Sequence, residues 1–207
     1  MVEYRDYNFA GKTMEFFVTH QTVEHYSGDC AVAFVFKDKT HQNKDLQQLL
    51  ELNRFDAIVG ATLMLSQVSG YKTKRLLIVG LGDSSLNEKN YMKVLNSLSS
   101  ALSDAKVKNV VIPDIQIDNR DESWVQLTTA RVLKNASYQV EKVDAKEKNE
   151  KGTLEAVSIY SENNDAAEIN KGLAIANGMA LTRRLGDLPS NICTPSYLAE
   201  TAKSLAK

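Results

Sequence analysis

Apolar and polar positions along this 207-residue chain alternate between short runs and longer helical periods. Met14-Glu15-Phe16-Phe17-Val18-Thr19 reads as a strand, and Cys30 to Phe36 as a strand apolar on both faces, which suits the middle of a covered sheet. Asn43 to Asn53 sets Leu46, Leu49, Leu50 and Asn53 near one face and predicts a short helix. Further strands are expected around Ala61 to Ser66 and Lys74 to Val79. Gly80-Leu81-Gly82-Asp83 then turns the chain, and Ser85-Leu86-Asn87-Glu88 has the form of a capping box, in which two side chains satisfy free amides at a helix start. The helix that follows spaces Tyr91, Val94, Leu95, Leu98, Ala101, Leu102 and Ala105 at close to the α-helical period. Val107 to Ile112 is the next strand, ended by Pro113; Asp121 to Asn135 is helical and Leu154 to Tyr160 a strand. Strands separated by helices of this length predict an α/β fold, a mixed and mostly parallel sheet covered by helices.

From Asp165 to about Leu188 the pattern is one long helix, with Ile169, Leu173, Ala176, Ala180 and Arg184 on one face. Pro189 stops it, because the residue before a proline is pushed out of the helical region. Thr194-Pro195 then supplies an N-cap and a proline at the first helical position, and Ser196 to Lys207 forms a short final helix. Its stripe of Leu198, Ala202 and Leu205 has little chain left to cover it. The charged stretch Glu141 to Lys151, "EKVDAKEKNEK", predicts a solvated hairpin or loop.

Composition narrows the function classes. The chain is 43% apolar, enough to bury a core, and its 25 Lys and Arg against 26 Asp and Glu leave a net charge of −1. That balance argues against a nucleic-acid or anionic-membrane partner. The first residues lack the apolar core of a signal peptide and the longest apolar run is too short to span a bilayer, so a soluble, non-exported protein is expected. Cys30 and Cys193 lie far apart and imply no disulfide framework, which fits a reducing cytoplasm.

Three motifs bear on chemistry. His20 and His25 come close to a zinc pattern, but residues five apart on a helix differ by roughly 140° around the axis and cannot both face one ion. Gly80-Leu81-Gly82-Asp83-Ser84-Ser85 stands where a dinucleotide fingerprint would, yet lacks its third glycine, and no Lys-Ser or Lys-Thr pair makes a phosphate loop. A structural strand-to-helix turn is the simpler reading. No Gly-x-Ser-x-Gly elbow is present. Trp124 is expected on the core face of its helix rather than as a stacking platform. Residue by residue, the sequence assigns no catalytic, cofactor-binding or metal-ligating position.

The segment from Ala174 to Lys207, "AIANGMALTRRLGDLPSNICTPSYLAETAKSLAK", resembles the linker and entry segment of the leucyl (cytosol) aminopeptidase family. Upstream, Lys74-Arg75-Leu76-Leu77-Ile78-Val79-Gly80-Leu81-Gly82 is similar to a strand and glycine turn of that family's N-terminal domain. The chain departs from the family at Gly186-Asp187-Leu188-Pro189-Ser190, where many members read Asp-Leu-x-Asn-x-Pro-Pro. The resemblance implies a macro-like α/β domain over residues 1–165, followed at 166–207 by a linker helix and the start of a catalytic domain. It implies a cytoplasmic, hexameric exopeptidase whose two divalent ions (manganese, zinc or magnesium) lie beyond this chain, with peptides as substrates. The chain alone is then expected to be inactive, its partners its own catalytic domain and the other subunits. The rival reading is a free-standing macro-like module that binds a nucleotide or ADP-ribose at Gly80 to Ser85.

Overall fold

The computed structural model describes residues 14–41, 43–138, 154–162 and 166–206. Eleven elements follow in chain order: β1 (Glu15–Thr19), β2 (Cys30–Phe36), α1 (Lys44–Leu52), β3 (Thr62–Ser66), β4 (Arg75–Gly82), α2 (Glu88–Asp104), β5 (Asn109–Ile112), α3 (Glu122–Ala136), β6 (Ala156–Tyr160), α4 (Ala167–Asp187) and α5 (Pro195–Leu205). The strands make one six-stranded sheet in the order β1-β6-β5-β2-β4-β3. All pairs are parallel except β3 with β4. This is the mixed, mostly parallel sheet that the strand and helix alternation predicts.

Successive side chains of a strand point to opposite faces, and β2 shows the consequence. Cys30 and Val32 join a core with α2, α3 and Ile169 of α4, whereas Ala31, Ala33 and Val35 pack with Leu46 and Leu50 of α1 on the other face. The sheet is therefore sandwiched, which is why β2 carries no polar position.

Helix starts follow local chemistry. Asn43 caps α1 by accepting hydrogen bonds from the Asp45 and Leu46 amides, and Asp121 caps α3 by accepting from the Trp124 amide. Thr194 caps α5, with Pro195 in its first turn. At α2 the expected capping box is not formed. Asn87 is the cap, accepting from the Asn90 amide, and Glu88 turns instead to Arg120, 2.6 Å away. Leu86 explains the shift: at 1% exposure it is drawn into the core ahead of the helix, leaving Ser85 out on the surface. The charged stretch Glu141 to Lys151 lies outside the described residues.

Buried hydroxyls in the core are satisfied locally. Thr129 spends its hydrogen on the Val125 carbonyl at 2.7 Å, so the Tyr91 hydroxyl donates to Thr129 at 2.6 Å. Trp124 packs against this core, its ring centroid 6.0 Å from that of Tyr91.

Candidate functional site

β2 and β5 are neighbours for only two registers, Cys30 with Val110 and Ala31 with Val111. On its other side β2 pairs with β4 along its whole length. The chain leaves β2 toward β4 and leaves β5 toward β6, so adjacent strands part company in opposite directions, the arrangement that opens a crevice at the carboxyl ends of a parallel sheet. A cavity of about 430 Å³ lies there, lined from the β2 side by Phe34, Phe36 and Lys39 and from the β5 side by the 114–118 segment. Leu81, Ser84, Ser85 and Leu86 complete it.

The floor is apolar and the rim charged. Leu81, Leu86, Ile115 and Ile117 are buried, while Lys39, Asp114 and Asp118 are exposed. Lys39 sits over the Phe36 ring, its Nζ 4.3 Å from the centroid. Loss of water around the Asp114 carboxyl, ahead of the charges of Glu122 and Glu162, pushes its pKa up against a hydrogen bond from the Ile115 backbone.

The glycine motif serves packing. Gly80 and Gly82 lie inside β4 and not in a turn, because the segment preceding β3 runs along them. The Gly60 amide donates to the Gly80 carbonyl at 2.9 Å, the Gly80 amide to Ala61 at 2.8 Å and the Gly82 amide to Ala57 at 2.8 Å. A Cβ on Gly80 would fall 2.4 Å from the Ile58 carbonyl oxygen, and Gly82 has a φ of +84° that favours glycine. Space that a phosphate would need at Gly80 is filled by backbone.

The remaining motif residues do not converge. The His25 Nδ1 pairs with the Thr22 hydroxyl at 3.0 Å, and no three metal-ligating side chains gather among the described residues. Burial pushes the Cys30 thiol up to about 12, so it is no nucleophile at neutral pH, and Cys193 is likewise free. At the opposite end of the sheet, Arg75 binds Asp29 through Nε at 3.1 Å and Nη2 at 2.5 Å and donates Nη1 to the Ala105 carbonyl at 2.5 Å. The Lys108 amide also donates to Asp29, at 2.9 Å. This clip ties the starts of β2, β4 and β5 together.

At the C-terminal end α4 packs on α3, and Gly172 permits the contact: a Cβ there would lie 2.3 Å from the Leu127 carbonyl oxygen. Tyr138 donates a hydrogen bond to Asp187 at 2.8 Å, and α5 has no buried residue. The sequence profile of the cytosol aminopeptidase family, N-terminal domain, matches residues 31–147.

The chain belongs to the cytosol aminopeptidase family.

Among its relatives is a probable cytosol aminopeptidase of Vesicomyosocius okutanii subsp. Calyptogena okutanii, 43% identical over 94% of this chain and 40% of that protein. Another, from an Azoarcus species, is 38% identical over 82% of this chain and 36% of its own length. The chain thus spans about 40% of the length of the family members it matches. Among solved structures, a variant of tomato leucine aminopeptidase superposes with a TM-score of 0.68 at 22% identity, over 96% of this chain and 43% of that one. The bottromycin maturation enzyme BotP in complex with Mn gives a TM-score of 0.68 at 15% identity, over 86% and 36% of the two chains. These likenesses show that the fold of the family's N-terminal domain is retained.

No helix among the described residues is long and apolar enough to cross a membrane. The crevice residues were missed by sequence reasoning. Lys39 and Asp114 follow different strands, and only the strand order reveals that those strands are neighbours.

Proposed function

We propose that this chain is the non-catalytic N-terminal domain of a two-metal leucyl aminopeptidase, residues 1–165 forming the α/β domain and 166–207 a linker helix and the opening of a catalytic domain. The parent protein removes N-terminal, leucine-like residues from peptides, works in the cytoplasm as a hexamer and holds two divalent ions in its catalytic domain. The observation that carries this reading is the match to the family's N-terminal domain by a chain that spans about 40% of its relatives' length.

The described residues do not fit such an ion pair, since no three carboxylate, imidazole or thiol groups converge, and no step of hydrolysis is assigned to them. Their part is architectural. Leu198 and Leu205 of α5 are 44% and 68% exposed, and Ile175 of α4 is 46% exposed, an apolar surface suited to a further domain.

The test is to assay this chain, and the product of its gene read past the codon for Lys207, on leucine p-nitroanilide with added Mn²⁺. Turnover by the longer protein and none by this chain is the expected result. A reading frame that stops at Lys207, or hydrolysis by this chain itself, overturns the assignment.

A further inference from the structure

The crevice between β2 and β5 has three features that select a ligand. Its floor is built from buried aliphatic side chains and the half-buried Phe34, which favours an apolar group. Its rim carries an ammonium, Lys39, held over Phe36, and a carboxylate, Asp114, at the end of the facing strand. The field around Asp114 is acidic, with Glu122 and Glu162 close enough to act on it, and Asp118 stands on the same rim.

A nucleotide fits this poorly. Its phosphates would meet several carboxylates and one lysine, while the nearby start of α2 already has Glu88 in its first turn. A ligand with only a cation leaves Lys39 unanswered, and one with only an anion leaves Asp114 in its acidic surroundings. A molecule with a free ammonium, a free carboxylate and an apolar side chain satisfies both rims and the floor.

We propose that this crevice binds a zwitterionic apolar amino acid or short peptide, its ammonium toward Asp114, its carboxylate toward Lys39 and its side chain on Leu86 and Ile115. Such molecules are what a leucyl aminopeptidase releases and consumes. That physiological meaning rests on the proposed function, whereas the binding does not. The scaffold domain would then sense the products of its own parent enzyme.

The experiment is a titration of the 207-residue chain followed in ¹⁵N–¹H correlation spectra, with L-leucine and L-leucyl-L-leucine as probes. Isoamylamine, isocaproate and AMP serve as controls. A small ligand of this size binds with a dissociation constant of about 1 mM. Saturable shifts at Phe34, Ser85 and Ile115 are expected, with the two single-charge analogues about tenfold weaker or more. Lys39→Gln and Asp114→Asn alter exposed side chains and are expected to keep the wild-type spectrum while weakening binding about threefold each. Tighter binding of leucine identifies the free amino acid as the ligand, and tighter binding of the dipeptide the peptide. Absence of saturation at about 50 times the expected constant, saturation of the same signals by AMP, or unchanged affinity in both variants overturns the proposal. Peptidase activity of the longer gene product is measured separately, so failure here and failure of the family function remain distinct.

Discussion

Arg75 grips Asp29 with both Nε and Nη2, at 3.1 and 2.5 Å, and so fastens β4 to the chain entering β2. Burial by itself pushes the Asp29 carboxyl up, but the Arg75 and Lys108 hydrogen bonds and the charges of Arg75 and Lys74 outweigh it and hold the pKa below its ordinary value. A carboxylate with a depressed folded pKa contributes stability above its unfolded pKa, and that contribution disappears as pH falls through the folded value. Asp29→Asn is therefore expected to cost about 1–3 kcal/mol at pH 7, a charged hydrogen-bonded pair at the edge of the core. Urea denaturation should show the gap between wild type and variant closing below about pH 4, the ordinary carboxylate range; a gap independent of pH would contradict the mechanism.

Gly80 has no room for a side chain, its Cβ position being 2.4 Å from the Ile58 oxygen and 2.7 Å from the Ala57 carbonyl carbon. Both are backbone atoms and cannot rotate away. Gly80→Ala is expected to lose about 1–3 kcal/mol by overpacking, read as a lower denaturation midpoint with an unchanged slope.

These two sites show what was legible in the sequence. β2 is readable because a strand buried on both faces must be apolar throughout, and the caps at Asn43, Asp121 and Thr194 because side-chain capping is local. The end of β4 was misread. Glycine signals a turn on its own, yet in Gly80 and Gly82 it records close approach by a segment some twenty residues earlier in the chain. The same long-range information hid the crevice, since nothing near Lys39 in sequence points to Asp114.

Two glycines of α4 should respond in opposite senses. A Cβ at Gly172 meets the Leu127 carbonyl oxygen at 2.3 Å, whereas at Gly178 it meets nothing within 4 Å. Gly172→Ala is expected to destabilise by about 1–3 kcal/mol as α4 is forced off α3. Gly178→Ala should stabilise by about 0.5–1 kcal/mol, because alanine loses less backbone freedom in a helix. Thermal melts of the two variants check the pair, and equal signs would refute the packing argument.

His41 gives a second pH dependence. Its Nδ1 accepts the Asn43 amide at 3.1 Å, and its own amide donates to the Gln47 side chain at 3.0 Å, bracing the start of α1. Burial lowers the imidazole pKa below its ordinary value, against the pull of the Glu24 charge. Protonation removes the acceptor, so the bracing is present above about pH 6.5 and is lost as pH falls through the lower folded value. His41→Phe, which cannot accept at any pH, should lie below wild type at pH 7.5 and approach it near pH 5 in thermal melts.

The crossing at Gly172 has a mechanical meaning as well. From there to Asp187 the helix extends about 22 Å, at 1.5 Å per residue, so a tilt of about 10° at the crossing would swing the far end by roughly 4 Å, as that length implies. α4 is thus a lever with a short grip and a long arm, and the Tyr138 hydrogen bond to Asp187 is its damper. Whatever is attached beyond Leu188 inherits its aim from one glycine.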